Sequence, residues 1–169
     1  MSISMHSASA PVFTRMLNNL LRWLDKAEAH AAAKKFDAGV LLAARLAPDM
    51  LAFTKQVQIA TDTAKFCMAR LAGVDAPKFD DNEASLADLR ARIRTTIAFV
   101  ESVPASKVDG SETREVTIPR RDGPITMTGE AYLTRYALPN FFFHVTTAYA
   151  LLRHNGVELG KPDYLGLLQ

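Results

Sequence analysis

One stretch of the chain, residues 50–71, carries an apolar repeat so regular that it favours a packed α-helix over any alternative. Its apolar residues follow one another at spacings of three and four, which places them on one helix face: Met50, Phe53, Val57, Ala60, Ala64, Cys67 and Leu71. Such a stripe is typical of a helix in a left-handed bundle. Gly73 predicts the end of this helix, because glycine readily adopts the left-handed conformation of a C-cap.

Three further stretches show the same helical period. The first covers residues 9–35, with Pro11 in its first turn, and another covers residues 86–100. The last runs from an N-cap at Thr128 to Asn155 and is interrupted at Pro139. Residues 137–152 are apolar on nearly every side, so we expect this part of the last helix to be the most buried element of the molecule.

Between the third and fourth helical stretches the period changes to two. Val116 and Ile118 alternate with polar neighbours, as do Ile125 and Met127, around an Asp122-Gly123 turn. The sequence therefore predicts an all-α fold: a four-helix bundle with a small β-hairpin inserted before the last helix, in a single domain over residues 1–169. The connection lengths leave two helix orders open, up-down-down-up and simple up-down.

Composition excludes several functional classes. The 169 residues include 20 Lys and Arg against 18 Asp and Glu, a net charge of +2, and no basic stripe is present, so we expect no nucleic-acid partner. Cys67 is the single cysteine, which excludes an intrachain disulfide and a cysteine-based zinc site. No uninterrupted run of 18 apolar residues occurs and the start lacks the pattern of a signal peptide. We expect a cytoplasmic protein without membrane association.

The C-terminal half resembles a known family. His144 is followed by a Leu152-Arg153 step, by Gly156 and by a Pro162-Asp163 step, at the distances found in the DinB-like superfamily of four-helix bundles. The segments PVFTRMLNNL, RLAPDM and ALPNFFFHVTTAYALLRHNGVELGK are similar to an uncharacterised branch of that superfamily, a domain of unknown function. The resemblance covers essentially the whole chain.

The resemblance also implies where a site would lie. Many DinB-like proteins hold a metal through one histidine of the second helix and a His-x-x-x-His pair of the last helix. The matching positions here carry Gln56, Asn140 and His144, a degenerate version of that triad. Zinc and nickel prefer imidazole and thiolate donors, and amide oxygens offer no charge to offset a dication. We therefore expect no cofactor, and keep a zinc or nickel ion bound through His144, with Asn140 and Gln56, as the alternative.

Three functional hypotheses follow. The first is a protein that binds a small molecule, or is non-catalytic, with its site centred on His144. Gln56 and Asn140 complete that site, and Tyr136 and Tyr149 stand near its mouth. The second, by analogy with relatives, is a metal-dependent hydrolase or thiol-transferase-type enzyme. The third is a homodimeric interaction or structural module, since the family commonly dimerises. The catalytic residues, and whether the chain is an enzyme at all, stay open.

Overall fold

A computed structural model describes residues 3–120 and 122–166. Four long helices form its frame: α1 (Ala10–Lys34), α2 (Phe53–Ala72), α3 (Leu86–Ser102) and α6 (Leu138–His154). Shorter elements connect them: a 3₁₀ helix (Ala38–Ala43), α4 (Ala105–Val108), strands β1 (Glu115–Ile118) and β2 (Ile125–Thr128), α5 (Gly129–Tyr132) and, after α6, α7 (Lys161–Leu165). The predicted all-α architecture with a hairpin before the last helix is confirmed.

Local signals set most of these boundaries. The Asp37 carboxylate accepts a hydrogen bond of 2.8 Å from the Gly39 N–H and so begins the 3₁₀ helix. Ser85 caps α3 through the Asp88 N–H, and Thr128 caps α5 through the Ala131 N–H. Gly73 ends α2 with a φ of +67°, the left-handed conformation that its position predicts.

The hairpin has the predicted strands but a longer connection. β1 and β2 pair antiparallel with Val116 opposite Met127 and Ile118 opposite Ile125. Six residues, 119–124, separate the strands, so the hairpin does not close through a two-residue turn at Asp122-Gly123. Val116 and Ile118 are buried, and the hairpin thereby covers one end of the bundle.

The last helix is longer than α6 alone, because α5, a π-helical segment (Leu133–Ala137) and α6 follow one another without a break. The Leu138 N–H bonds to the Leu133 carbonyl, five residues back, which is the π-helical pattern. Pro139 follows at the start of α6, where its missing N–H would break an α-helical ladder. The interruption expected at Pro139 thus takes the form of a π turn just before Asn140.

Helices α1 and α6 run parallel. Near the beginning of both, the rings of Phe13 and Phe141 meet edge to face with centroids 4.8 Å apart. Further along both, Trp23 meets Tyr149 in the same way at 5.5 Å. These aromatic pairs fix the register of the two helices.

Helix α3 runs antiparallel to α1. Arg90, in the first turns of α3, pairs with Asp25 near the end of α1 at 3.0 Å. At the opposite end, the Asp109 carboxylate that follows α3 and α4 accepts a hydrogen bond of 2.8 Å from the His6 N–H, just before α1. Helix α2 runs antiparallel to α6, as the contacts of the candidate site show. The chain order is therefore up-down-down-up, one of the two orders that connection lengths left open.

The burial of the helices corrects one expectation. Helix α2 is the most buried element, with 14 of its 20 residues buried, whereas 7 of the 17 residues of α6 are buried. α2 contacts both α3 and α6, whereas part of the outer face of α6 lies open along an apolar groove. Phe143, on that side, is 57% exposed. The prediction that residues 137–152 are the most buried element was wrong because apolar composition does not report how many neighbours a helix has.

The short helix α7 was not predicted. Asp163 accepts a hydrogen bond from the Gly160 N–H and pairs with Lys26 of α1 at 2.7 Å. Trp23, the single tryptophan of the chain, stacks on Tyr164 with centroids 5.7 Å apart and donates its indole N–H to the Asp163 carbonyl at 3.3 Å. α7 is thereby held against the middle of α1.

The described ranges contain no helix with the length and apolar character needed to cross a membrane.

Candidate functional site

The seam between α2 and α6 brings together the two residues on which the predicted site depends. His144 Nδ1 and Gln56 Oε1 lie 2.7 Å apart, and both side chains are buried. The Gln56 Nε2 donates a hydrogen bond of 3.0 Å to the carbonyl of Leu51, just before α2. A carbonyl only accepts, so this bond identifies which end of the Gln56 amide is nitrogen and turns its oxygen towards His144.

Asn140, one helical turn before His144, makes a parallel set of contacts. Its Nδ2 donates to the Thr63 Oγ1 at 2.7 Å, and the Thr63 hydroxyl donates to the Ile59 carbonyl at 2.7 Å. Because the hydroxyl proton is used on Ile59, the oxygen of Thr63 accepts from Asn140, which fixes the orientation of that amide as well. Both chains of hydrogen bonds therefore end on a backbone carbonyl in or just before α2.

These contacts determine the protonation pattern of His144. The Gln56 oxygen accepts, so Nδ1 carries the proton and Nε2 of the neutral ring carries a lone pair. Burial lowers the pKa of His144 below its ordinary value of 6.5, which favours the neutral ring at pH 7. Among the described residues, neither His144 Nε2 nor Asn140 Oδ1 has a hydrogen-bond partner within the protein. The seam thus presents two free acceptors, one turn apart on α6.

Two predicted site residues, Tyr136 and Tyr149, have different positions. Tyr136 is half-buried in the π segment, one turn before Asn140, and stacks on Tyr132 with centroids 5.9 Å apart. Tyr149 packs against Trp23 of α1 and Tyr164 of α7. Five residues along a helix rotate a side chain by about 140°, so Tyr149 faces away from His144. The expectation that it stands at the mouth of the site does not agree with this placement.

An open apolar groove of about 540 Å³ lies beside the seam, on the outer face of α6. Leu46 and Met50, from the segment before α2, form one wall, and Pro139, Phe143 and Thr147 of α6 form the other. Phe143 connects the groove with the seam, because its ring meets the His144 ring edge to face at 5.2 Å. A molecule bound at His144 Nε2 would therefore have apolar surface next to it.

The donor set does not fit a triad metal site. Gln56 Oε1 is engaged by His144 Nδ1 and the amide nitrogen of Asn140 by Thr63, so these side chains bond across the seam instead of converging on one point. A single free imidazole nitrogen and one neutral amide oxygen are weak ligands for zinc or nickel. Within the described residues, no group of three or more His, Cys, Asp and Glu side chains is placed to hold a metal ion.

A second polar cluster lies on the opposite side of α2. The side chain of Arg92 in α3 is 1% exposed and pairs with Asp62, Asp81 and Glu83 at 2.6–2.8 Å. Phe79 lies under its guanidinium at 4.4 Å from the ring centroid. Burial acts to raise the pKa of Glu83, but hydrogen bonds from Arg92 and Gln58 hold it below the ordinary value. Arg92 uses its donors within the protein, so this cluster fastens the α2–α3 loop.

Sequence reasoning missed Thr63 and Arg92. Thr63 follows Gln56 by seven residues and lies on the same face of α2. Because α6 runs antiparallel to α2, a contact between His144 and Gln56 brings Asn140 close to Thr63. The contact was therefore predictable once the direction of α6 was known. Arg92 interrupts the apolar face of α3 beside Leu89 and Thr96. A charged residue in such a position indicates a buried ion pair.

Fold and site together define a class, the DinB-like four-helix bundles. A solved structure, the crystal structure of a DinB family member protein from Shewanella denitrificans, is 46% identical in sequence and covers 95% of this chain. The match extends over 91% of that protein and has a TM-score of 0.90. Within this class, residues 5–165 match the family described as "Domain of unknown function (DUF1993)", and the chain belongs to that family. No curated protein matches the chain.

Proposed function

We propose that this protein binds a small molecule at the α2–α6 seam without a metal cofactor. The observation that carries the proposal is the free Nε2 of His144, a neutral acceptor whose tautomer is set by Gln56 and the Leu51 carbonyl. His144 keeps 8% exposure, and no hydrogen bond within the described chain uses its second nitrogen, so this atom can accept a hydrogen bond from a molecule from outside.

The groove on the outer face of α6 supports the same proposal. Ligand sites combine apolar walls with a few polar groups of fixed direction. Phe143 and Met50 line the apolar groove, and His144, whose ring meets that of Phe143 with centroids 5.2 Å apart, provides fixed polarity beside it. This function does not require catalysis. His144 Nε2 is placed to accept a proton from a bound molecule. Among the described residues, however, no second catalytic group lies beside it.

Elemental analysis and a fragment screen test the proposal together. We expect protein purified without a His-tag or chelator to carry less than stoichiometric zinc, nickel or iron, in the wild type as in His144→Ala. We also expect fragments to shift the side-chain ¹⁵N resonance of His144 Nε2. Stoichiometric metal that disappears in His144→Ala would contradict the proposal and favour the metal-dependent hydrolase or thiol-transferase alternative. No shift by any fragment would contradict ligand binding at this seam.

A homodimer is the second candidate function, and a specific observation favours it. The outer face of α6 and the segment before α2 expose large apolar side chains together: Phe143 at 57%, Leu51 at 45% and Leu46 at 41%. Contiguous exposed apolar groups often mark an interface, and a second copy of the chain would cover them. The two functions are compatible, since the His144 seam lies beside this face. A cytoplasmic location, like the absence of a nucleic-acid or membrane partner, stays a prediction.

A further inference from the structure

We infer that the molecule bound at the α2–α6 seam is an N–H donor, of the class of ureas, guanidines and amidines. The inference rests on the proposed function and adds the chemical class of the ligand. It follows from the direction of the hydrogen bonds that cross the seam.

Both chains of hydrogen bonds have the same polarity. In one, His144 Nδ1 donates to the Gln56 oxygen and the Gln56 nitrogen donates to the Leu51 carbonyl, which leaves His144 Nε2 at the α6 end. In the other, Asn140 Nδ2 donates to the Thr63 hydroxyl and that hydroxyl donates to the Ile59 carbonyl, which leaves Asn140 Oδ1 at the α6 end. A backbone carbonyl has no proton to give, so every group in each chain donates towards α2. Each chain must therefore end, on the α6 side, in an acceptor.

The two terminal acceptors share one helix face. Residues four apart on a helix have Cβ atoms about 5–6 Å from each other, so the side chains of His144 and Asn140 leave α6 side by side, both directed towards α2. Two acceptors side by side are complementary to two N–H groups on a planar carbon, as in a urea, guanidine or amidine. A carboxylate or a phosphate would instead meet two lone pairs, which is repulsive.

The surroundings of the acceptors agree with a planar donor. The pKa of His144 is lowered by burial, so the ring keeps its lone pair at pH 7. Phe143, whose ring lies 5.2 Å from that of His144, provides a flat apolar surface for a substituent. A cationic donor would gain further from the face of this ring.

Three aromatic probes that differ in polarity test the inference on the whole protein. Phenylurea and benzamidine offer N–H donors, whereas benzoate offers only acceptors. We expect phenylurea and benzamidine to shift the ¹⁵N resonance of His144 Nε2 in a saturable titration, and benzoate to leave it unchanged. Binding of benzoate at His144 as tightly as phenylurea would overturn the donor class while leaving small-molecule binding intact. No shift by any of a wider fragment set would overturn both.

A pair of matched variants locates the second acceptor. Asn140→Leu removes Oδ1, and we expect the affinity for phenylurea to fall roughly three- to tenfold, the usual effect of one hydrogen bond. Asn18→Leu, at a half-buried asparagine on the distant face of α1, is the control and should leave the affinity unchanged. An affinity for phenylurea that is equal in wild type and Asn140→Leu, with both proteins folded by circular dichroism, would overturn the two-acceptor arrangement.

Discussion

At the scale of single residues, the polarity of His144 originates in a backbone group. The Leu51 carbonyl orients Gln56, and the Gln56 oxygen holds the imidazole proton on Nδ1. A glutamine in this position keeps the ring neutral, because its amide carries no charge with which an imidazolium could pair. Gln56 thus has a definite electrostatic effect on His144.

Gln56→Glu should reverse that effect. A carboxylate 2.7 Å from Nδ1 favours the imidazolium, so we expect the pKa of His144 to rise by about 1 or more from its lowered value. A pH titration of the His144 side-chain resonances by NMR measures this change. The resonances of the other three histidines, His6, His30 and His154, serve as an internal reference in the same spectra. An unchanged pKa of His144 would contradict the contact with Gln56.

The sequence predicted part of this residue-scale picture. The resemblance to DinB-like proteins assigned Gln56, Asn140 and His144 to equivalent positions, and the structure brings Gln56 and His144 into contact. It did not predict the partner of Asn140, because Thr63 lies seven residues from Gln56 and only the antiparallel register brings it opposite Asn140. The hydrogen bond from Gln56 to the Leu51 carbonyl could not be predicted for a different reason: Leu51 lies in an irregular segment, and the path of such a segment depends on tertiary packing.

At the scale of elements, the long α2–α3 connection is held by one buried side chain. Residues 74–85 form no regular secondary structure. Arg92 pairs with Asp81 and Glu83 of this loop and with Asp62 of α2, so a single guanidinium joins α2, α3 and the loop between them. The long connection lets α2 and α3 run parallel, and Arg92 keeps it packed on the bundle.

Arg92→Met should therefore loosen this loop and lower the stability of the whole domain. Loss of the guanidinium leaves the partly buried carboxylate of Glu83 with only the Gln58 amide as a partner, and that of Asp62 with only Lys65. We expect the free energy of unfolding in urea to fall by roughly 2–4 kcal/mol, less than for a fully buried pair because Asp81 is 42% exposed. Hydrogen exchange of residues 74–85 should accelerate more than that of α1 or α6.

Arg94→Met is the matched control for this change. Arg94 lies two residues further along α3 and is exposed, so its replacement should alter the free energy of unfolding by about 0.5 kcal/mol or less. Equal effects of the two substitutions would show that Arg92 does not fasten the loop.

Elements with local signals were predictable, and those that depend on distant partners were not. Gly73 and Thr128 mark predicted boundaries that the structure confirms, because caps act within a few residues. Helix α7 spans five residues and is held by Trp23 and Lys26, more than a hundred positions away, so no local period reveals it. The π segment was likewise hidden, although Pro139 indicated an irregularity at that point.

At the scale of the whole molecule, the unequal burial of α2 and α6 leads to a prediction about assembly. α6 is the more apolar of the two helices by sequence, yet part of its outer face is open, and Phe143 there is 57% exposed. If a second copy covers this face, Phe143→Asp should shift the protein from dimer to monomer in sedimentation velocity, because it places a charge in an apolar interface.

Phe66→Asp is a suitable control for that experiment. Phe66 is 38% exposed on α2, where Lys65 and Arg70 lie over its ring, and it does not line the groove on α6. We expect the dimer to persist in this variant. A wild type that sediments as a monomer at all concentrations would contradict the homodimer proposal without affecting ligand binding at His144.

The surroundings of Trp23 have a spectroscopic consequence. The indole stacks on Tyr164 of α7 and meets Tyr149 of α6, so its fluorescence depends on the packing of both helices against α1. Far-ultraviolet circular dichroism, in contrast, averages over every helix of the bundle. With one tryptophan in the chain, an emission change that precedes the loss of ellipticity would report loosening where α1, α6 and α7 meet, and the protein thus carries a built-in optical probe for this one part of its core.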